Sequence, residues 1–161
     1  MKNIITVLFI LVSFIANSYS AGSSSSSGNS ASKYDQAVKL IKAAKKIEKK
    51  GKKEKAEKRY KKALNLLIKS NKEKPNKPDT LNYLGFTTRK LGDFENGEKF
   101  YLQGLALDPT HIGINEYLGE LYVATNRLNL AKERLEVLAN CNCKEYSDLK
   151  EIIDGTKKSK Y

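Results

Sequence analysis

One spacing constrains this chain more than any other. The tetrapeptide NYLG at Asn82–Gly85 returns as EYLG at Glu116–Gly119, 34 residues later. The same shift carries Gly92 onto Asn126, Phe94 onto Leu128, Gly97 onto Ala131 and Tyr101 onto Leu135. An upstream copy lies at a shift of 41, where Gly51, Ala56, Tyr60, Ala63 and Leu64 match Gly92, Gly97, Tyr101, Gly104 and Leu105. A unit of this length cannot bury its apolar face alone, so successive copies must stack. Apolar residues recur at helical spacing inside each copy, and with three prolines and no tryptophan the composition favours an all-α chain.

The period and the pattern resemble the tetratricopeptide repeat (TPR) family, whose signature runs Trp-x2-Leu-Gly-x2-Tyr, then Ala-x3-Phe, then Pro. The second copy offers Leu81, Leu84, Gly85, Thr88, Gly97, Tyr101, Gly104 and Pro109. The third offers Asn115, Leu118, Gly119, Tyr122, Ala131, Leu135 and Leu138. The repeat core is thus Leu84, Gly85, Gly92, Gly97, Tyr101, Pro109, Leu118, Gly119, Tyr122 and Ala131. Thr88 stands where the family has an aromatic, Asn115 puts a polar group in an apolar slot, and repeats one and three lack the closing proline; looser packing of the outer repeats than of the middle one is expected. The resemblance implies an antiparallel helix-pair solenoid of about three repeats, with the first helices of the pairs lining a concave groove.

Periodicity by itself predicts helices near 34–50, 53–73, 78–91, 94–107, 112–125, 128–140 and 144–154. The last, with Tyr146, Leu149, Ile152 and Ile153 on one face, suits a helix that caps the third repeat. The domain organisation that follows is a repeat domain at 33–140 and a capping helix with a basic tail at 141–161. The seven extra residues between copies one and two fall in Leu66–Asp79; they predict either a longer second helix stopped before Pro75 or a longer loop. Gly85 is expected where two helices approach closest and Gly92 at a left-handed helix end. Gly97 and Gly104 occupy slots filled by Ala56, Ala63 and Ala131 in the other copies, so alanine there is expected to be neutral or stabilising.

The N-terminus reads differently. Lys2 precedes an apolar run from Ile4 to Ala16, and Ser18 and Ser20 precede Ala21. That is the layout of a signal peptide over residues 1–20; the other reading is an uncleaved anchor. A Ser/Gly-rich linker follows at 21–32. The expected location is outside the cytoplasm, periplasmic or secreted, in a bacterial envelope.

Catalysis finds no support in the residues. His111, the single histidine, is expected in a surface turn after Pro109, and no phosphate-binding glycine loop occurs. No catalytic residue, metal site, cofactor or small-molecule substrate is expected. Cys141 and Cys143 are the two cysteines. They admit three readings: a small and therefore reducible bridge before the last helix, two thiols, or metal or redox work with a second chain.

The net charge of +12 is concentrated: Lys33–Lys77 holds 18 Lys/Arg against 5 Asp/Glu. This is either a solvated helix pair or an electrostatic patch for an acidic protein or an anionic membrane surface. Lysine outnumbers arginine 26 to 4, which disfavours nucleic acid as the partner. The resemblance places Val38, Ile41 and Lys45, then Asn82, Phe86 and Arg89, then Glu116, Glu120 and Val123 along the groove. It would run from basic to acidic, with Phe86 as an apolar anchor and Glu116 and Glu120 either meeting a basic stretch of the partner or solvating the helix. The implied function is a protein-interaction module, an exported adaptor or assembly factor whose partner is a peptide or helix of another protein. The alternative is a peripheral envelope-surface binder acting through 33–77.

Overall fold

A computed structural model describes residues 31–159. The expected signal peptide and all but the last two residues of the expected linker lie outside the described residues. Within them the chain forms seven helices and no strand: α1 (Lys33–Glu48), α2 (Lys53–Glu73), α3 (Pro78–Lys90), α4 (Phe94–Leu107), α5 (Ile112–Ala124), α6 (Leu128–Val137) and α7 (Lys144–Ile153). None of them is long and apolar enough to cross a membrane.

Local chemistry starts and stops these helices. Ser32 caps α1, its hydroxyl accepting from the Asp35 N–H at 3.1 Å, and the Asp93 carboxylate does the same for Asn96 at the head of α4 at 3.1 Å. Pro78 opens α3, where a missing N–H leaves no bond unmade. The turns after α1, α3 and α5 pass through left-handed residues, Gly51 (φ +73°), Gly92 (φ +95°) and Asn126 (φ +57°). These are the same repeat position, filled by the residue types that tolerate this conformation. The seven-residue insertion goes into α2, which at 21 residues is the longest described helix and runs up to Lys74 and Pro75. α6 ends three residues earlier than the pattern predicts, because the chain turns there towards Cys141.

Consecutive helices pair antiparallel as α1–α2, α3–α4 and α5–α6, and the first helices α1, α3 and α5 also meet each other. α7 packs on α5 and α6. One core gathers Ile41, Tyr60, Leu67, Leu84 and Phe86 between the first pair and α3. A second gathers Tyr101, Ile114, Leu118, Leu121 and Ala131 between α4, α5 and α6.

Gly85 sits directly under the Tyr101 ring; a Cβ there would lie 2.5 Å from Cε1 of that ring. Gly119, its mate in the next repeat, is covered by a residue of α7 instead, with Leu149 Cδ2 at 2.6 Å from an added Cβ. The capping helix thus fills the notch that an aromatic ring fills one repeat earlier, where Leu135 replaces Tyr101. Gly97 and Gly104 both lie at close helix contacts. A Cβ at Gly97 would stand 3.2 Å from the Gly85 carbonyl oxygen and from Arg89 Cβ, and one at Gly104 2.4 Å from Ile114 Cδ1. Glycine in α4 thus sits close against α3 and α5: a methyl at Gly97 asks the Gly85 carbonyl and Arg89 to give by a few tenths of an ångström, and one at Gly104 meets the end of the Ile114 side chain.

Asn115, the polar residue in an apolar slot, has its side chain engaged. It is fully buried, and its amide donates to the carbonyls of Pro109 at 3.0 Å and His111 at 3.1 Å while Arg134 Nη1 reaches its oxygen at 3.3 Å. A polar side chain in an apolar slot here ties a turn to two helices. Cys141 and Cys143 form an intrachain disulfide, the first of the three readings, with left-handed Asn142 (φ +48°) between them. Behind it Leu149 and Ile152 are buried, and Asp148 is held by Lys144 and Lys157.

Two stability measurements check these contacts. Gly85→Ala should lower the unfolding free energy in urea by about 1–2 kcal/mol, because overpacking outweighs the roughly 1 kcal/mol gain in helix propensity. A gain in stability would mean that Tyr101 does not rest on Gly85. Replacing both cysteines by serine should cost only about 1–2 kcal/mol, since the closed loop is very short, and should leave the far-ultraviolet circular dichroism unchanged.

Candidate interaction surface

The inner face of the solenoid is built by α1, α3 and α5. The repeat register puts Lys45, Phe86 and Arg89, Glu116 and Glu120 on that face, as their spacing on each helix dictates. What the sequence does not disclose is how completely these residues satisfy one another. Phe86 is 2 % exposed. Its ring lies edge-on to Tyr60 at 5.9 Å and tilted against Tyr117 at 5.1 Å. Lys45 reaches over from α1, with Nζ 4.2 Å from the centre of the Phe86 ring and 3.0 Å from the Tyr117 hydroxyl, to which it donates. The cation thus lies against two ring faces, where the quadrupoles attract it.

Arg89 and Glu120 form an ion pair whose side chains have no exposed surface: Nη2 to Oε2 is 3.1 Å, and Nη1 donates to the Tyr117 carbonyl at 2.6 Å. Removing two charges from water is expensive, and the attraction offsets this only with good geometry and additional hydrogen bonds. Here α5 supplies one further bond to the guanidinium, through the Tyr117 carbonyl. Glu116 is 5 % exposed and Asn82 7 % exposed, with the Asn82 carbonyl oxygen lacking a hydrogen-bond partner. Gly113 leaves room for the Asn82 amide, since a Cβ at 113 would come within 2.7 Å of its nitrogen. Glu116 and Glu120 therefore do not solvate α5, and the inner face does not present an open run from basic to acidic. Arg89 neutralises Glu120 within the fold.

The side chains that remain partly accessible on this face are others. Tyr34, Tyr83, Tyr117, Lys45, Val38 and Val123 are all half-buried, and Tyr34 and Tyr83 stack edge-on at 5.9 Å. Burial is the largest cause that holds these three phenols well above their ordinary pKa, with Asp79 adding to the effect on Tyr34 and Tyr83 and Glu116 on Tyr117. They remain neutral hydroxyls able to donate. The sequence carried a signal for two of them: NYLG and EYLG both hold a tyrosine, Tyr83 and Tyr117, at one repeat position. Tyr34 has no repeat mate and no signal of that kind.

His111 lies in the turn after Pro109, as expected, and is partly buried there. It caps α5, its Nδ1 accepting from the Ile114 N–H at 3.1 Å while Nε2 faces Asp79 Oδ1 at 3.2 Å. Accepting at Nδ1 leaves the proton on Nε2, which donates to Asp79. Among the described residues no group of three or more His, Cys, Asp and Glu side chains is placed to hold a metal.

No protein-family model matches the sequence, and no curated protein matches it. Solved structures do. The first TPR of Spaghetti (RPAP3), bound to the HSP90 peptide SRMEEVD, superposes with a TM-score of 0.55 at 22 % identity, over 76 % of this chain and 94 % of that one. This chain has a TPR-like fold. The first TPR domain of human RPAP3 superposes with the same TM-score, 0.55, at 23 % identity, covering 78 % and 97 % of the two chains. The Yersinia enterocolitica type III secretion translocator chaperone SycD also gives 0.55, at 16 % identity over 75 % and 83 %. In TPR terms, α1, α3 and α5 are the first helices of three repeats, and α7 follows them as a cap.

The Arg89–Glu120 pair makes a sharp test. Glu120→Ala leaves the guanidinium buried without this carboxylate and should lower stability to urea by about 3–5 kcal/mol. Arg89→Met combined with Glu120→Leu should lose much less than Glu120→Ala alone. Equal losses for the two variants would mean that charge pairing is not what joins α3 to α5.

Proposed function

We propose that this chain is an exported, non-enzymatic TPR adaptor or assembly factor that takes a peptide or helix of another protein on its concave face. The observation that carries the reading is the row of half-exposed rings of Tyr34, Tyr83 and Tyr117 across α1, α3 and α5. Tyrosine presents a broad apolar face and a hydroxyl at small entropic cost, and it is enriched where proteins recognise proteins. Beneath the row, Phe86 and the Arg89–Glu120 pair hold the backbone of two repeats in place, so that little ordering is needed on binding. The RPAP3 domain of similar fold was solved with a peptide, and SycD is a chaperone of translocators; both support an interaction role for this fold. Export rests on the sequence of residues 1–20.

Phe86, Arg89 and Glu120 act here as the floor of the surface rather than as its contacts. A photo-crosslinking side chain at Tyr83 or at Tyr117 should capture the same segment of one partner protein in cells, identified by mass spectrometry. The same side chain at Lys132, exposed on α6, should not. Equal capture from Lys132, or none from the two tyrosine positions, would overturn the concave-face assignment.

A further inference from the structure

The positive charge of the first helix pair is arranged in rows. On α2, Lys55, Lys58, Lys62, Asn65, Lys69 and Lys72 follow one another at alternating steps of three and four, and all are exposed. That spacing keeps them on one side of the helix, opposite the buried Ala56, Tyr60, Ala63 and Leu67. The row extends about 25 Å along the axis at 1.5 Å per residue. α1 repeats the device: Lys39, Lys42, Lys46 and Lys49 are exposed at steps of three, four and three. None of these lysines pairs with a carboxylate among the described residues. Of the three acids on α2, Glu57 is engaged by Lys61 and Glu73 by Lys33, and Glu54 lies exposed in the first turn.

Such rows work against the helix that bears them. Like charges three and four residues apart destabilise a helix, and neighbours on the row are separated along the axis by about 5 Å, well inside the Debye length at physiological salt. Solubility alone does not demand this, since mixed signs solvate a surface equally well. The seven-residue insertion that lengthens α2 also lengthens the row, adding Lys69 and Lys72 to it.

We propose that the exposed faces of α1 and α2 form an attachment surface for anionic lipid headgroups. Lysine ammonium groups act as hydrated point charges and need no directional partner, which suits a headgroup plane. No aromatic stands in either row and a single arginine, Arg59, flanks the one on α2, so base stacking is absent from the rows. Nor does either row hold a large apolar side chain, the usual anchor of a protein partner. The apolar stretch Ile4–Ala16, whether export signal or anchor, in either reading brings the chain to a bilayer. This inference rests on the first helix pair and is independent of the concave-face assignment.

The test is co-sedimentation of the full chain with vesicles of phosphatidylcholine alone or containing about 30 % phosphatidylglycerol. Comparing the two cancels any contribution of the apolar N-terminus. The native chain should partition at least about tenfold more strongly onto the anionic vesicles at roughly 0.1 M salt, and that preference should vanish at roughly 0.5 M. Lys55→Gln, Lys58→Gln, Lys62→Gln, Lys69→Gln and Lys72→Gln together should abolish most of it while circular dichroism shows an intact helical fold. No anionic preference in the native chain, or an undiminished one in the folded fivefold variant, would overturn the proposal. So would tight binding of a DNA duplex under conditions where the vesicles are ignored.

Discussion

An ion pair out of reach of water, Arg89 to Glu120, joins the second repeat of this protein to the third. Charges in such a place cannot be left half-satisfied, because the penalty for an uncompensated buried charge exceeds that for losing an ordinary contact. The guanidinium therefore fixes the position of α3 against α5 and also holds the carbonyl of Tyr117. Tyr117 in turn carries the Lys45 ammonium and lies against Phe86. Three first helices are linked by one connected set of polar and aromatic contacts. The concave face gains a solid floor, from which the rings of Tyr83 and Tyr117 rise.

The second constraint is closeness of approach. Gly85 and Gly119 sit at one repeat position, yet different elements fill the notch each leaves, Tyr101 of α4 in one case and Leu149 of α7 in the other. The third repeat has a leucine, Leu135, where the second has Tyr101, and the seventh helix supplies what that side chain does not. This is the physical reason that α7 belongs to the domain. The disulfide between Cys141 and Cys143 forms at the turn from which that helix starts.

The two surfaces divide the molecule chemically. The inner face is aromatic and nearly neutral, since its acids are buried and Arg89 and Lys45 are engaged within it. The outside of the first pair is lysine-rich and apolar-poor. A partner segment with ring-sized apolar groups and a bilayer with negative headgroups would not compete for the same place.

The helices, the left-handed turns and the cap were legible in the sequence because each follows from a local rule; of the insertion, its seven residues were legible but not the choice between a longer α2 and a longer loop. Helical periodicity, Asp and Ser at helix starts, Gly or Asn after helix ends and Pro beyond them act within a few residues. Register indicated part of the inner face, Lys45, Phe86, Arg89, Glu116 and Glu120, but not the partly accessible rings of Tyr34, Tyr83 and Tyr117. Exposure was not legible. Glu120 reads as a solvated acid until α3 brings Arg89 to it from 31 positions away in the chain. Phe86 reads as an anchor until Lys45 and Tyr117 close over it. Gly85 reads as a close approach of two helices, but only the structure shows that the Tyr101 ring is what rests on it. Sequence by itself determined where the helices lie and which residues share a face. Only the tertiary structure decided which of those residues meet water, because burial and charge pairing depend on what distant helices bring into contact.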